Sequence, residues 1–203
     1  MITITVPLLA QESPIDPALA HQYFSEMQAN GEKDGGVLWG VKLNGPMLFV
    51  DPQTRSIIAN MPDKEGLLSK QGGVYTGKLP TDKIIANTSI AWAGVKWTMV
   101  MWPLPKDKYN RGRLMAHESF HRVQEEIGLP MRNPSNVHLN TGDGRLWMRL
   151  EWRALKKALI SSGDRRTAVE DALIFRSYRQ SLFPNAAEDE RLLEMNEGLS
   201  EYT

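Results

Sequence analysis

His117, Glu118 and His121 stand in the order His-Glu-x-x-His within Leu114-Met115-Ala116-His117-Glu118-Ser119-Phe120-His121. Residues four apart lie one turn apart on the same helix face, so these two imidazoles can turn their nitrogens to one metal ion. Glu118 precedes His121 by three and stays near that face, where its carboxylate can take a proton from a water on the metal. Two neutral imidazoles and a carboxylate suit Zn²⁺, which in hydrolytic sites keeps a fourth position for water. The expected chemistry is hydrolysis, with Glu118 as general base.

Such a trio needs a packed helix to hold it. Ala116, Phe120, Val123 and Ile127 recur at helical spacing, and Leu114 and Met115 extend the stripe. Gly128 supplies a stop and Pro130 bars continuation, so the helix is expected to end near residue 127. A solvated helix carrying two idle histidines would not need that stripe.

A third protein ligand is still required. The metzincin pattern would put Gly at 124 and His at 127, but this chain has Gln124 and Ile127. Near the carboxyl end, Asn196-Glu197-Gly198-Leu199-Ser200-Glu201-Tyr202 sets Glu197 and Glu201 four apart on one helix face. With these two motifs the chain resembles the gluzincin metallopeptidases, the thermolysin- and aminopeptidase-like group. There the His-Glu-x-x-His helix is completed by Asn-Glu-Gly/Ala-x-x-Asp/Glu on a later helix. The resemblance implies a zincin-like α+β fold, a Zn²⁺ cofactor and peptide-bond hydrolysis. His117 and His121 match the histidine ligands, Glu118 the general base and Glu197 the third ligand. Glu201 matches the acid that orients the first histidine and fixes its tautomer.

The resemblance spans the two motifs and the helices between them, and residues 36–104 also resemble uncharacterised bacterial proteins with the same motif pair. The long interval from His121 to Glu197 implies two inserted helices, and Glu151 stands as the alternative third ligand. No Gly-Ala-Met-Glu-Asn signature precedes the metal helix, so aminopeptidase activity is not implied. Members usually continue into a carboxyl-terminal subdomain that supplies a transition-state donor. This chain stops one residue after Tyr202, so it is read as a fragment or as a minimal version, with Tyr109, Tyr178 and Tyr202 as donor candidates. The competing reading is a catalytically silent zincin-like module, in which zinc or the bare helix pair serves architecture or partner binding.

The elements that must position these residues follow from patterning. The fold class expected is α+β, with an antiparallel sheet region over 13–104 and a helical, metal-binding region over 105–203. Asp16 and Pro17 open a helix that Gly31 should stop. Strands are expected at 37–41, 47–50, 56–59, 73–77, 84–86, 88–92 and 96–102, with Asp51-Pro52-Gln53-Thr54-Arg55 as a hairpin turn. No helix intervenes to make a parallel crossover, which predicts antiparallel pairing. Trp92, Trp97 and Trp102 are read as core. The edge of the strand at 96–102 is a candidate for main-chain pairing with an extended peptide. Further on, 146–160 is a helix apolar nearly all round and so expected to be buried. Glu151 within it must be paired or metal-bound, with Arg149, Arg153 and Arg176 as candidate partners. His21 and His138 are read as structural or solvated. Another helix over 164–183 ends at Pro184, and Asn185 with Glu188 suggests a capping box.

Composition excludes several classes. Across 203 residues, 24 Lys and Arg balance 24 Asp and Glu. With no basic excess, nucleic acid is not expected as a partner. No apolar run reaches the roughly twenty residues of a membrane span. The absence of cysteine removes disulfides and Cys-ligated zinc. The partner expected is a peptide or protein substrate. Residues 1–12 read either as a signal remnant or as a first strand, since Ile2-Thr3-Ile4-Thr5-Val6 is β-branched throughout. The first predicts a secreted or periplasmic protein and the second a cytoplasmic one.

Overall fold

The computed structural model describes residues 15–129, 131–132, 134–160 and 163–203, so the stretch read as signal remnant or first strand lies outside the described residues. The chain divides into two compact units, one ending at Pro130 and taking in Ser200–Thr203, the other Met131–Leu199. The fold is mixed α and β, and the metal-motif helix belongs with the sheet.

Helix α1 (Pro17–Asp34) starts as its sequence predicts, with Asp16 Oδ1 accepting from the amides of Ala18 and Leu19 at 2.8 and 3.3 Å. It runs past Gly31 and stops at Gly35, which takes the left-handed conformation with φ 64°. Gly31 serves packing instead. A Cβ there would fall 2.6 Å from Asn44 Cβ, so only glycine lets the loop before the sheet lie against the helix.

Strands β1 (Met47–Val50), β2 (Ser56–Ala59), β3 (Ser69–Gln71), β4 (Val74–Lys78), β5 (Thr88–Trp92) and β6 (Val95–Met101) form one sheet, ordered β3-β4-β2-β1-β6-β5. The expected β1–β2 hairpin forms, with Asp51 Oδ1 accepting from Gln53 N and Thr54 N at 3.1 and 2.7 Å. The wholly antiparallel sheet is corrected. β1 and β6 pair in parallel, Phe49 opposite Val100, because the chain between them makes the crossover out of strands β2–β5 rather than a helix. The stretch 37–41 is a turn, with Gly36 and Gly40 at φ 88° and 74°, and 84–86 is not a strand either. β3 is fully exposed Ser-Lys-Gln held by pairing with β4, so no apolar alternation announces it. β6 lies between β1 and β5 and pairs with both, which overturns the idea that 96–102 offers an edge to a peptide.

Each sheet face is covered. On one, Phe24 of α1 stacks on Phe49 at 4.3 Å between ring centroids, with Ile58, Val100, Met115 and Val123 in the same cluster. On the other, Trp97, Leu48, Ile57 and Met99 are fully buried with Trp92 beside them. Trp102 is half-buried against Phe49, 5.9 Å between centroids. The tryptophans are core, as their density predicts.

Helix α2 (Lys108–Val123) carries the metal motif. Asp107 caps it, accepting from Asn110 N at 2.8 Å. Met115 and Val123 are buried in the cluster of Phe49, and Phe120, buried as expected, packs on Trp39, but the helix ends at Val123, and Gly128 with φ 80° follows in the turn. Arg111 ties it to α1, giving two hydrogen bonds to Glu26 Oε2 at 2.9 and 2.7 Å while lying 4.0 Å over the Tyr23 ring. Burial opposes ionisation of Glu26, but the Arg111 hydrogen bonds and charge outweigh it and hold this carboxyl below its ordinary range.

The second unit comprises a 3-10 turn (Val137–Asn140), α3 (Gly142–Ile160), α4 (Arg165–Leu182), α5 (Ala186–Leu193) and a π-helical turn (Glu194–Gly198), the last running into α6 (Leu199–Tyr202). Helices α3 and α4 thus separate the motifs, as expected, and α5, the π-helical turn and α6 follow one another without a break as the last helix, which carries the second motif. The expected burial of α3 is corrected, since Trp152, Leu155, Leu159 and Ile160 are exposed and its inner row is Glu151, Ala154 and Ala158. Asn185 takes φ 63° and makes no side-chain cap, so the capping box does not form.

Candidate metal centre

The positions of His117 and His121 on α2 follow from the helical register alone; their orientation does not. The two rings meet edge to face, 4.9 Å between centroids, with Nε2 of one 3.2 Å from Nε2 of the other. Two ring nitrogens aimed at each other from that distance need a cation or a shared proton between them. Tetrahedral zinc with Zn–N of about 2.0–2.1 Å sets its ligand nitrogens about 3.3 Å apart. The donor pair fits that ion.

The far side of each ring is held. His121 Nδ1 donates to Gln124 Oε1 at 3.0 Å, and Gln124 is fully buried. An amide oxygen only accepts, so the proton sits on Nδ1 and Nε2 keeps its lone pair. Glu201 Oε2 lies 3.5 Å from His117 Nδ1, where the sequence places the orienting acid. Arg113, one turn before His117, forms an ion pair with the same carboxylate. The hydroxyl of Ser200, itself buried, is 3.3 Å from His117 Nε2. Glu118 is 5 % exposed. Sequence reasoning did not assign roles to Gln124, Arg113 or Ser200. Helical spacing could have found the first two, since they sit three after His121 and four before His117.

Glu197 belongs to the second unit, in the π-helical turn that leads into Ser200 and Glu201. It is exposed, and its Oε1 accepts from Asn196 Nδ2 at 3.0 Å. Single π turns widen a helix by one residue and recur where side chains are re-aimed for function. Glu151 is drawn away from any ligand role. It is 2 % exposed, with Arg176 2.7 Å from Oε1 and Arg179 2.6 Å from Oε2. Arg176 was among its expected partners; Arg179 was not, and Arg149 and Arg153 are not the ones that pair. His138 is structural, its Nε2 2.7 Å from Glu190 Oε1.

Beside the histidine pair an open cleft of about 920 Å³ is lined by Tyr109, Gly112, Arg113, Ala116, Glu201 and Tyr202, among others. Tyr109 and Tyr202 are exposed there, whereas Tyr178 packs on Trp147 in the second unit, 4.5 Å between centroids. Lys33, Asp34, Asp107 and Lys108 complete a wall of mixed charge. No protein-family model, curated protein or solved structure matches this chain.

Proposed function

We propose that this protein is a zinc-dependent peptide hydrolase of gluzincin type, with His117, His121 and Glu197 as ligands, Glu201 orienting His117 and Glu118 as general base. The observation that carries the reading is the convergence of two Nε2 atoms at 3.2 Å, one of the rings fixed from behind by Gln124 and the other faced by Glu201. Two imidazoles and a carboxylate, the donor set that His117, His121 and Glu197 offer, are the ligands that zinc takes in hydrolytic sites. The open cleft of about 920 Å³ beside them has room for a substrate segment of several residues' side chains.

Bound zinc would supply a Lewis acid and lower the pKa of a water toward neutrality. The chain's own residues do the rest. Glu118 takes the proton from the attacking water and returns it to the departing amine, acting as base and then as acid. Its burial keeps competing solvent from the carboxylate. Tyr109 and Tyr202 line the cleft wall and are the phenols we take as candidate donors to the developing oxyanion.

Elemental analysis of the purified chain should give one zinc, and cleavage of an unstructured protein should stop on chelation and return with added zinc. Glu118→Gln should keep the metal and lose roughly 10²–10⁴-fold in rate. Zinc without cleavage in the wild type would instead establish the silent module. A chain that takes up no zinc would reject the hydrolase and leave the bare helix pair as architecture.

A further inference from the structure

The second unit buries small apolar residues between α3 and α4, beside a half-buried Trp147–Phe175 contact, and leaves several large ones outside. Between α3 and α4 the buried apolar residues are Ala154, Ala158, Ala168 and Ala172, whereas Trp152, Leu159 and Leu173 are 62 %, 81 % and 58 % exposed. Burying methyl groups drives association weakly; a Trp or Leu side chain withdrawn from water contributes roughly 1.5–3 kcal/mol. Most of the hydrophobic stabilisation open to this hairpin therefore lies on its outer surface.

That surface is ordered. Met148, Trp152, Leu155 and Leu159 follow spacings of four, three and four, the seam that one helix presents to another in a bundle. On α4, Val169 and Leu173 stand four apart and exposed, and Arg176 and Gln180 continue the row as its polar end. Each row lies about a quarter turn past the residues that join the two helices, Glu151, Ala154 and Ala158 on α3 and Ala168, Ala172 and Arg179 on α4. In an antiparallel pair that puts both rows on one side of the hairpin.

We propose that a second copy of this chain covers this face, two α3–α4 hairpins closing an antiparallel four-helix bundle about a twofold axis. Area selects this occupant. The exposed parts of Trp152, Leu155, Leu159, Val169 and Leu173 sum to on the order of 500 Å², so two such faces would bury roughly 1,000 Å², the floor for a specific interface. A twofold axis parallel to the helices lays α3 of one copy along α4 of the other, so each apolar row meets the opposite row of the other copy. On the α4 border Glu170 pairs with Arg166 of the same helix at 2.9 Å, so its charge is met within each copy. The proposal does not depend on zinc or on hydrolysis.

Sedimentation equilibrium of the full chain tests it. The expected mass is twice 22.9 kDa at micromolar concentration. Leu159→Glu, at a position already exposed, should leave the helical circular dichroism unchanged and raise the dimer Kd roughly 100-fold. Leu173→Glu, on the α4 row and likewise exposed, should weaken the dimer to a similar degree. A wild-type chain that sediments as a monomer overturns the proposal, including one that instead binds anionic phospholipid vesicles. So does a dimer indifferent to Leu159→Glu.

Discussion

His117 and His121 are held from behind by unlike groups, a half-exposed carboxylate for one and a fully buried amide for the other. Glu201 also answers to Arg113, so its charge is shared and partly solvated. Gln124 offers one neutral acceptor to one N–H with no water to substitute for it. The buried amide should therefore matter more to the metal than the visible acid. Gln124→Leu is expected to lower zinc affinity about 10–100-fold while the metal-free chain keeps its fold, and Gln124→Glu should preserve binding. Competition against a chelating dye, read beside the melting temperature of the metal-free variants, checks this. Equal zinc affinity in Gln124→Leu would make the contact mere packing. The motif announces the two histidines but not this third residue, because glutamine three positions on is an ordinary helix residue until its burial is known.

Among the elements, α1 and α2 reach their places by different means. A guanidinium clamps α2 to α1, and Gly31 lets α1 settle on the loop at Asn44. Alanine normally favours a helix interior over glycine by roughly 0.5–1 kcal/mol. At Gly31 the sign should reverse. A Cβ 2.6 Å from Asn44 Cβ forces helix or loop to move, and Gly31→Ala is expected to destabilise by ~1–3 kcal/mol in urea unfolding. The same glycine misled the sequence reading, which took it for a helix stop. Glycine signals either a left-handed cap or a close approach, and only the neighbour at 44 distinguishes them. β3 and the parallel β1–β6 pair were hidden for a related reason. One is polar throughout and the other depends on where strands β2–β5 and their loops return the chain, so neither leaves a local pattern.

At the scale of the whole molecule, the second unit substitutes a chain of buried charge for an apolar interior. Glu151, Arg176, Arg179, Glu190 and His138 are linked by ion pairs and hydrogen bonds, and Arg179 is fully buried. Burial opposes ionisation of Glu190, but hydrogen bonds from Arg179, Gln180 and His138 prevail and lower its pKa from 4.5 to about 2. A carboxyl depressed in the fold stabilises it fully above the unfolded value and loses that contribution as pH falls through the folded one. The second unit should thus hold its melting temperature above pH 4.5 and lose it progressively toward pH 2. Glu190→Gln should be less stable at neutral pH and show a flatter acid limb in the same thermal melts. Equal acid sensitivity of the two proteins would remove Glu190 from the account.

The sequence by itself determined the spacing of His117, Glu118 and His121, the apolar stripe that buries one side of their helix, the cap at Asp16 and most of the strands. All of these are local, because a helix or strand repeats within a few residues and the side chains that set the period are adjacent in the chain. Only the tertiary structure decided that Gln124 stands behind His121, that two Nε2 atoms converge, and that Arg179 joins Arg176 on Glu151. It also decided that β1 and β6 pair in parallel within the sheet and that α3 turns Trp152 outward. These depend on which distant segments meet, and a pairing across many residues leaves no period to read.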